Sequence, residues 1–394
     1  MDQKLLRAEV QKFITDNVLA DTSKLALQKN PFADVEWRKI LNQIACKAKA
    51  RHRLPLFFES SDIIYPSKIQ LEQTSSEKTA RYKADVVSGK SLIDLTGGFG
   101  VDAAFFSKKV KDVIHCEINQ DLSETAKHNF KILKINNIES ICGDGFDILK
   151  SKNQKFDWIY IDPSRRNEAK GKVFMLKDCL PNVPQLLSEY LKYANCLLIK
   201  TAPILDISAG LQELKNVKAI HIVAVENEVK ELLWIIEKDY IADIKIVTIN
   251  IAASKTDLFS FNYSSCISKP IFENPVLFLY EPNAAIMKSG GFDEVAKQYK
   301  IGKLHQNTQL YTSSQMIEFP GRIFEIIHCF DYSKANMILH LKDKKANITT
   351  RNFSETVIEI RKKWKISDGG AIFCFFTTNK DDKKIVLLCK KIKN

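Results

Sequence analysis

A short apolar strand that leads directly into a glycine-rich turn constrains this chain more than any other feature. The segment SLIDLTGGFGVDAAFF places apolar residues before the turn and a helix-like pattern after it. Gly97, Gly98 and Gly100 let the backbone adopt positive φ and approach a ligand closely. A strand, glycine turn and helix in this order are typical of the first unit of an open parallel sheet that binds a nucleotide.

The pattern after residue 91 predicts a parallel sheet. Short apolar runs (SLIDLT, DVIHCEI, FDWIYID, NCLLIKTAP) alternate with helical stretches, which is typical of βα units. Near 217–238 the pattern changes to two strands with almost nothing between them, VKAIHIVAVENEV and KELLWIIEK. A parallel return needs about a dozen residues or more, so these two strands must be antiparallel.

Changes in pattern along the chain predict four domains. The residues before 85 are helical, with breaks at Pro55 and Pro66, and a Ser-rich boundary lies at 252–270. A compact α+β pattern begins near 323. The predicted domains are a helical N-terminal domain at 1–85, an α/β domain at 86–250, and small α+β domains at 251–322 and 323–394.

The charge is unevenly distributed, which bears on possible partners. Residues 331–394 hold 15 basic and 7 acidic residues and residues 1–90 hold 16 and 11, whereas the middle is nearly neutral. A neutral centre with basic ends suggests a catalytic core whose appendages bind a polyanion, although an ordinary basic surface would show the same charge.

The composition indicates in which cellular compartment we expect the protein. The chain has no run of 18 apolar residues and its first 20 residues form an amphipathic helical pattern, so we expect neither a membrane span nor a secretory signal. Nine cysteines without a C-x-x-C pair are typical of a reducing compartment, and we expect a cytoplasmic protein. The seven histidines show no ligand spacing, so no metal site is predicted.

The glycine turn by itself leaves two cofactor classes open. Glu117 lies 23 residues beyond Asp94, at the end of the next strand, where a carboxylate can bind both hydroxyls of a ribose. Gly98-x-Gly100-x-x-Ala103 also matches a dinucleotide fingerprint. The spacing therefore fits both NAD and S-adenosylmethionine.

Three features favour S-adenosylmethionine. Asp94 stands just before the glycines, where its carboxylate can receive a cationic or amino group. GDGFD places Asp144 at the end of the third strand, where it can accept from an adenine amine with Phe146 beside the ring. The antiparallel hairpin fits a seven-stranded methyltransferase sheet and not the six-stranded sheet of dehydrogenases.

The motifs DLTGGFG, CEIN, GDGFD and YIDPSRR, in this order over about 75–240, resemble motifs I to IV of class I S-adenosylmethionine-dependent methyltransferases. Thr96 departs from the usual first glycine, but a similar Thr, followed by an acid like Asp102, occurs in small-subunit rRNA guanine-N2 methyltransferases. The resemblance implies a Rossmann-like seven-stranded α/β sheet and cofactor contacts from Asp94, Thr96, Gly97, Gly98, Gly100, Asp102, Glu117, Asp144, Phe146 and Asp162.

A second resemblance covers 275–394. YEPNAAIMKSGGF, KLHQNTQLYTS, FPGRIFEI and TTRNFSETVIEIRKKWKISDGG resemble the end of a methyltransferase family with a ferredoxin-like piece and a THUMP-like domain. THUMP domains bind tRNA in RNA-modifying enzymes, so the resemblance implies rRNA or tRNA as the partner, and the basic ends of the chain agree with it.

The segment IDPSRR predicts the reacting centre. In base N-methyltransferases an Asp or Asn followed by Pro-Pro-aromatic accepts hydrogen bonds from an exocyclic amine and stacks the base. This chain keeps Asp162 and Pro163 but has Ser164 and Arg165 in the next two positions. Arg165 could stack as a planar cation, or clamp phosphate together with Arg166.

A ribose 2′-O-methyltransferase is the alternative. Lys200 ends the fifth strand and Glu228 lies in the hairpin turn, and with Asp162 and Lys83 they resemble the Lys-Asp-Lys-Glu tetrad of such enzymes. A lysine with a lowered pKa would there deprotonate a hydroxyl. A catalytically inactive RNA-binding assembly factor and an enzyme acting on a small molecule also stay open.

Overall fold

The computed structural model describes residues 2–165, 175–263 and 269–392, with the side chain of Arg165 left undescribed. The chain forms two compact units, one made of Met1–Ile220 with Lys230–Ala242 and the other of His221–Val229 with Asp243–Asn394. In the ranges given above, no helix is both long and apolar enough to cross a membrane.

The first unit begins with short helices, as the sequence pattern predicts. Pro55 begins a helix, where its missing N–H costs nothing, and Ser67 and Ser76 each cap one with the side-chain hydroxyl. Leu5, Val10 and Ile40 belong to their shared core. The helices are α1 (Ala8–Asp16), α2 (Thr22–Leu25), α3 (Trp37–Arg53), α4 (Pro55–Glu59), α5 (Lys68–Gln73) and α6 (Glu77–Val86), after a 3₁₀ turn at Gln3–Leu6.

The predicted alternation of strands and helices follows. Strands buried on both faces need nearly continuous apolar sequence, as in FDWIYI. The elements are β1 (Ser91–Asp94), α7 (Val101–Phe106), β2 (Asp112–Glu117), α8 (Gln120–Ile132), β3 (Ile138–Cys142), α9 (Gly145–Lys152), β4 (Phe156–Ile161), β5 (Ser164–Arg165), β6 (Cys179–Leu180), α10 (Val183–Tyr193), β7 (Ala194–Thr201), α11 (Ile207–Glu213), β8 (Val217–Val225) and β9 (Glu228–Glu237), with a 3₁₀ turn at Leu176–Asp178.

The order of these strands determines where a ligand can bind. It is β8-β9-β7-β4-β1-β2-β3, with β1, β2, β3, β4 and β7 parallel and β9 antiparallel to β7. The chain order reverses at β1, which lies between β2 and β4. In open α/β sheets the ligand crevice lies outside the carboxyl ends of the strands at such a point. This arrangement confirms the predicted Rossmann-like methyltransferase sheet, and the seven strands of that prediction are part of a nine-stranded sheet.

The second unit contains the C-terminal α+β structure. An antiparallel hairpin, β10 (Lys245–Ile251) and β11 (Thr256–Asn262), comes first. The elements after it are β12 (Phe278–Pro282), α12 (Ala284–Ser289), α13 (Phe292–Tyr299), β13 (Gly302–His305), β14 (Thr308–Ser313), β15 (Gly321–Asp331), α14 (Lys334–His340), β16 (Asn347–Arg351), α15 (Val357–Trp364), β17 (Ile372–Thr378) and β18 (Lys384–Lys391). Their strands form one seven-stranded sheet in the order β13-β14-β12-β15-β18-β17-β16.

Trp234 packs the antiparallel strand β9 into the first unit, and its substitution tests this packing. Its side chain is fully buried, its indole N–H donates to Thr201 Oγ1 at 3.0 Å, and Gly210 of α11 packs against the ring. We expect Trp234→Ala to lower the free energy of unfolding by about 3–5 kcal/mol, because it leaves a cavity and an unpaired hydroxyl. Trp234→Phe, which keeps most of the volume, should cost less. Urea denaturation followed by circular dichroism measures both, and equal costs would contradict this packing.

Candidate active site

The glycine turn after β1 is shaped by close contacts that tolerate no side chain. Gly100 has φ +84° and precedes α7, and a Cβ there would lie 2.5 Å from the ring of Phe130. A Cβ on Gly97 would lie 2.3 Å from the ring of His115, which is fully buried under the turn. Burial lowers the pKa of His115 to about 4, so this ring is neutral near pH 7. The turn is thus a backbone cradle packed on a neutral support.

Glu117, at the end of β2, is tied to this turn. Its Oε2 accepts from the backbone N–H of Gly98 at 2.9 Å, and its Oε1 accepts from the N–H of Asn119 at 2.7 Å. Asn119 itself caps α8 through its side chain. The carboxylate is therefore held at the strand end by two backbone donors, at the position predicted for a ribose ligand.

Asp144 and Phe146 lie at the start of α9. Asp144 caps the helix, and a single oxygen, Oδ1, accepts from the N–H groups of Phe146 and Asp147 at 2.9 and 3.1 Å. The ring of Phe146 packs edge-to-face on Tyr190, with centroids 5.5 Å apart. The carboxylate is exposed and the ring is half-buried, so both groups have surface facing solvent.

Asp162 is linked both to the glycine turn and to the neighbouring strand. Its backbone N–H donates to Thr96 Oγ1 at 2.7 Å, and Thr96 N–H donates to Asp94 Oδ1 at 3.0 Å. Its carboxylate forms an ion pair with Lys200 of β7, because β4 and β7 are parallel neighbours and their carboxyl ends coincide. Pro163 is buried, whereas about a third of the Asp162 side chain is exposed (34%). The structure thus brings Asp94, Thr96, Asp162 and Lys200 together, as predicted.

A buried network of charges lies behind this pair. Lys83 of α6 is fully buried, and its ammonium is 2.7 Å from Glu231 Oε1 and 3.3 Å from Asp102 Oδ1. It also donates to Ser75 Oγ at 3.0 Å. Asp102 Oδ2 accepts from the hydroxyls of Ser75 and Tyr160, both at 2.8 Å. We call Ser75, Lys83, Asp102, Tyr160 and Glu231 the lysine network.

For two acids, Asp102 and Glu228, the structure differs from the sequence prediction. Asp102 follows the glycine turn, but its carboxylate is directed at the lysine network. The acid that pairs with Lys83 is Glu231, whereas Glu228 is exposed at the first residue of β9. The two glutamates are three positions apart, and side chains at odd spacing on a strand point to opposite faces. The signal for Glu231 was its place at the start of the apolar half of β9.

Burial and neighbouring charges shift the pKa values of this site in different directions. Burial lowers the pKa of Lys200, but Asp162, Asp102 and Glu231 more than offset this, so its pKa is raised above the ordinary lysine value. Burial raises the pKa of Asp94 well above its usual range, and the carboxylates of Asp102, Asp162 and Glu117 add to the effect. Lys200 is therefore a cation at neutral pH. The buried, acidic surroundings of Asp94 favour a ligand that carries a positive charge.

Sequence reasoning missed several residues of this site. Ser75 lies outside the motifs and Tyr160 begins YIDPSRR without a predicted role, and their hydroxyls were identified only as donors to Asp102. Ile118, directly after Glu117, has 72% of its surface exposed at the same strand end. An exposed apolar residue beside an acid that is predicted to bind a ribose is the sequence signal for Ile118.

Two predicted groups lie outside the described residues, namely the side chain of Arg165 and all of Arg166. Among the residues that are described, no group of three or more His, Cys, Asp and Glu side chains is arranged to hold a metal ion.

Comparison with known proteins agrees with this architecture. A family model described as a ferredoxin-like domain matches 278–320, and one described as THUMP domain-like matches 321–391. The crystal structure of a Porphyromonas gingivalis W83 protein, provisionally named a methyltransferase, superposes with a TM-score of 0.87 at 29% identity. The match covers 100% of this chain and 99% of that one.

Shorter matches link the chain to curated relatives. It is 29% identical over 136 residues to an uncharacterized RNA methyltransferase of Clostridium tetani, and 33% identical over 99 residues to one of Clostridium acetobutylicum. These matches cover 32% and 24% of this chain and 30% and 22% of the relatives, so the chain spans less than a third of their length.

Together, the strand order and the comparisons define a class I methyltransferase fold followed by a ferredoxin-like and a THUMP-like domain. The chain shares this whole architecture with the Porphyromonas gingivalis protein, which confirms both resemblances that the motifs carried.

The lysine network makes a stability prediction. Lys83→Met leaves the buried carboxylates of Glu231 and Asp102 without their ammonium, and we expect a loss of about 3–5 kcal/mol in the free energy of unfolding. Burial already raises the pKa of Glu231, and without Lys83 that pKa rises further. A group with a raised folded-state pKa destabilises the native state more as pH rises above its unfolded value, so the loss should grow between about pH 5 and pH 8.

Denaturant unfolding at several pH values measures this loss. The matched control is Lys83→Met combined with Glu231→Gln, which should recover part of the stability and flatten the pH dependence. A loss that does not change with pH would show that the ammonium is not what keeps Glu231 ionised.

Proposed function

We propose that this protein transfers a methyl group from S-adenosylmethionine to RNA. The observation that carries the proposal is the hydrogen bond from the backbone of Asp162 to Thr96 in the glycine turn, at 2.7 Å. It ties a partly exposed carboxylate to the loop expected to hold the cofactor. Methyl transfer is an in-line displacement that depends mostly on positioning, and a carboxylate held to this loop can orient the substrate group that receives the methyl.

The residues at the carboxyl edge fit S-adenosylmethionine, which when bound supplies an electrophilic methyl group on a sulfonium. The backbone cradle at Gly97 and Gly100 leaves room that a Cβ would fill. Asp94 suits the cationic amino acid end, because a nearby cation favours its charged form. Glu117 and Asp144 suit the ribose and the adenine amine, and Ile118 offers an apolar surface to the base.

Cofactor binding gives the first functional test. Isothermal calorimetry with S-adenosylhomocysteine should show binding to the wild type, and Glu117→Gln should weaken it about tenfold or more, because hydrogen bonds to a charged group contribute about 1.5–3 kcal/mol. Glu139→Gln makes the same change on β3, in an exposed ion pair with Lys152, and should leave affinity unchanged. Binding of NAD in preference to S-adenosylhomocysteine would overturn this part of the proposal.

Three observations support RNA as the polymer substrate. The curated relatives carry the name RNA methyltransferase, the C-terminal segment is THUMP-like, and residues 331–394 carry 15 basic against 7 acidic residues. A protein that neutralises phosphates releases counterions, so its affinity for RNA should fall steeply with salt. A small-molecule enzyme would show no such slope. An inactive assembly factor would show the slope without methyl transfer.

Within this proposal, a base amine is the favoured acceptor. An exocyclic amine needs a hydrogen-bond acceptor, which the partly exposed carboxylate of Asp162 can provide. Lys200 holds that carboxylate from behind and is itself kept charged by three carboxylates. A charged lysine can orient Asp162, but it cannot take a proton from a hydroxyl.

The ribose 2′-hydroxyl is the second candidate, and one observation favours it. With Glu231 in place of Glu228, the Lys-Asp-Lys-Glu set is complete in one region: Lys83 pairs with Glu231, Lys200 pairs with Asp162, and Asp102 and Glu231 both act on the charge of Lys200. The raised pKa of Lys200 opposes this mechanism, because the general base would be protonated at neutral pH.

The two acceptors differ in what Asp162 and Lys200 variants do. We expect Asp162→Ala to reduce the methyl-transfer rate about 10²-fold or more, with affinity for S-adenosylhomocysteine nearly unchanged. If the acceptor is a base amine, Lys200→Ala should mainly weaken RNA binding and the rate should be flat near neutral pH. If it is a ribose hydroxyl, Lys200→Ala should be as damaging as Asp162→Ala, and the rate should climb with pH towards the raised pKa of Lys200.

Mass spectrometry of nucleosides from a deletion strain and its parent identifies the RNA and the modified nucleotide. Alkaline hydrolysis separates the two products, because a 2′-O-methyl group protects the following phosphodiester bond and a base methyl group does not. Full activity of Asp162→Ala on the identified RNA would exclude both mechanisms.

A further inference from the structure

Two arginines of the second unit converge on one buried carboxylate. Glu281 of β12 is 3% exposed, and its Oε2 accepts from Arg322 Nε at 2.6 Å, with a second ion-pair contact from Arg322 Nη2. Its Oε1 accepts from Arg351 Nη2 at 2.8 Å. We call Arg322 and Arg351, which share the carboxylate of Glu281, the arginine pair.

The backbone brings these residues together from both C-terminal domains. Glu281 lies in the ferredoxin-like segment and is in direct register with Arg322, the second residue of β15. Arg351 ends β16, at the far edge of the same sheet. The sheet curves enough for Asn352, just after β16, to donate to Thr308 of β14 at 3.3 Å. The contacts of both arginines with Glu281 therefore depend on the curvature of the folded sheet.

One guanidinium would be enough to neutralise one buried carboxylate, so the second leaves a net positive charge. Neither arginine is buried with the glutamate, since 38% of the Arg322 side chain and 36% of the Arg351 side chain are exposed. The Nε of Arg351 is buried and has no hydrogen-bond partner in the described residues. The glutamate thus holds two partly exposed cations on its two oxygens, and Arg351 also donates from Nη1 to the carbonyl of Thr350 at 3.1 Å.

We propose that Arg322 and Arg351 together bind one phosphate group of the substrate RNA, with Glu281 as the positioning residue. Guanidinium groups present N–H donors in a fixed planar fork that matches phosphate oxygens, and less rotamer freedom is lost when they are already held. This proposal rests on RNA being the substrate, and it names the residues through which the C-terminal domains contact its backbone.

The test compares RNA affinity at several salt concentrations in full-length variants. The probe is a fluorescein-labelled RNA stem-loop followed by fluorescence anisotropy. Arg322→Gln and Arg351→Gln should each weaken binding about 3- to 10-fold, and together they should reduce the slope of log affinity against log salt by about one, as expected for one lost phosphate contact. Lys334→Gln, which removes one exposed charge at the start of α14, controls for net charge and should change neither quantity appreciably.

A second variant guards against loss of folding. Removing both arginines leaves Glu281 buried and unpaired, so the double change is also made together with Glu281→Gln, which leaves a neutral set. Glu281→Gln alone keeps both cations, so the salt slope should stay at the wild-type value, while RNA affinity should fall about 2- to 3-fold because the two guanidinium groups are no longer held in place.

The outcomes separate this inference from the proposed function. Wild-type binding whose salt slope is unchanged in the arginine variants would overturn the inference and leave the RNA substrate intact. Failure of the wild type to bind RNA at all would overturn both. In a separate arm, calorimetry with inorganic phosphate that detects arginine-dependent binding, while RNA binding is unaffected, would assign the pair to free phosphate and overturn the RNA contact.

Discussion

The burial of Lys83 is the constraint on which the arrangement of the first unit depends. An ammonium with no solvent contact must be compensated, and here Glu231, Asp102 and Ser75 compensate it from β9, α7 and the segment before α6. The same contacts fix the N-terminal helix α6 against the sheet at its carboxyl edge. A site built on such a network is rigid, because no member can move without leaving a buried charge unpaired.

The electrostatics of the carboxyl edge follow from this network. Asp102, Asp162 and Glu231 act on the charge of Lys200, and Asp102 and Glu231 also form ion pairs with Lys83. Burial raises the pKa of Asp94 and neighbouring carboxylates add to that shift, while carboxylates of the same region raise the pKa of Lys200. The excess of acids suits a ligand that brings its own positive charge. The raised pKa of Lys200 also distinguishes the two proposed acceptors, because a protonated lysine cannot take the proton from a ribose hydroxyl.

The two units differ in how their charges are arranged. The first gathers acids around a glycine cradle, which is suited to a cationic cofactor, and the second has a basic end at 331–394 and holds two arginines on a single buried glutamate. In both units a buried ion pair positions a partly exposed charged group: Lys200 holds Asp162, and Glu281 holds Arg322 and Arg351. Positioning of this kind reduces the entropy lost when a ligand binds.

The features of the fold and of the candidate site that could be predicted from the sequence are those that depend on residues close together in the chain. The strand, glycine turn and helix around Asp94 and Gly100, the acids Glu117 and Asp144 at strand ends, and the antiparallel hairpin near 217–238 are local patterns, and the sequence alone predicted them. So were Asp162 and Lys200, because parallel strands bring their carboxyl ends to one edge.

Tertiary structure alone decided which charges pair. Glu231 rather than Glu228 meets Lys83, because the register of β9 determines which of its side chains face inward, and the turn before it determines that register. Asp102 turned from the cofactor loop to the lysine network because Ser75 and Tyr160, 27 and 58 residues away, donate to it. Arg351 reaches Glu281 across 70 residues only because the sheet curves and brings the end of β16 towards β12. Local spacing carries no information on contacts of this range, and burial of a charge makes them obligatory once the chain has folded.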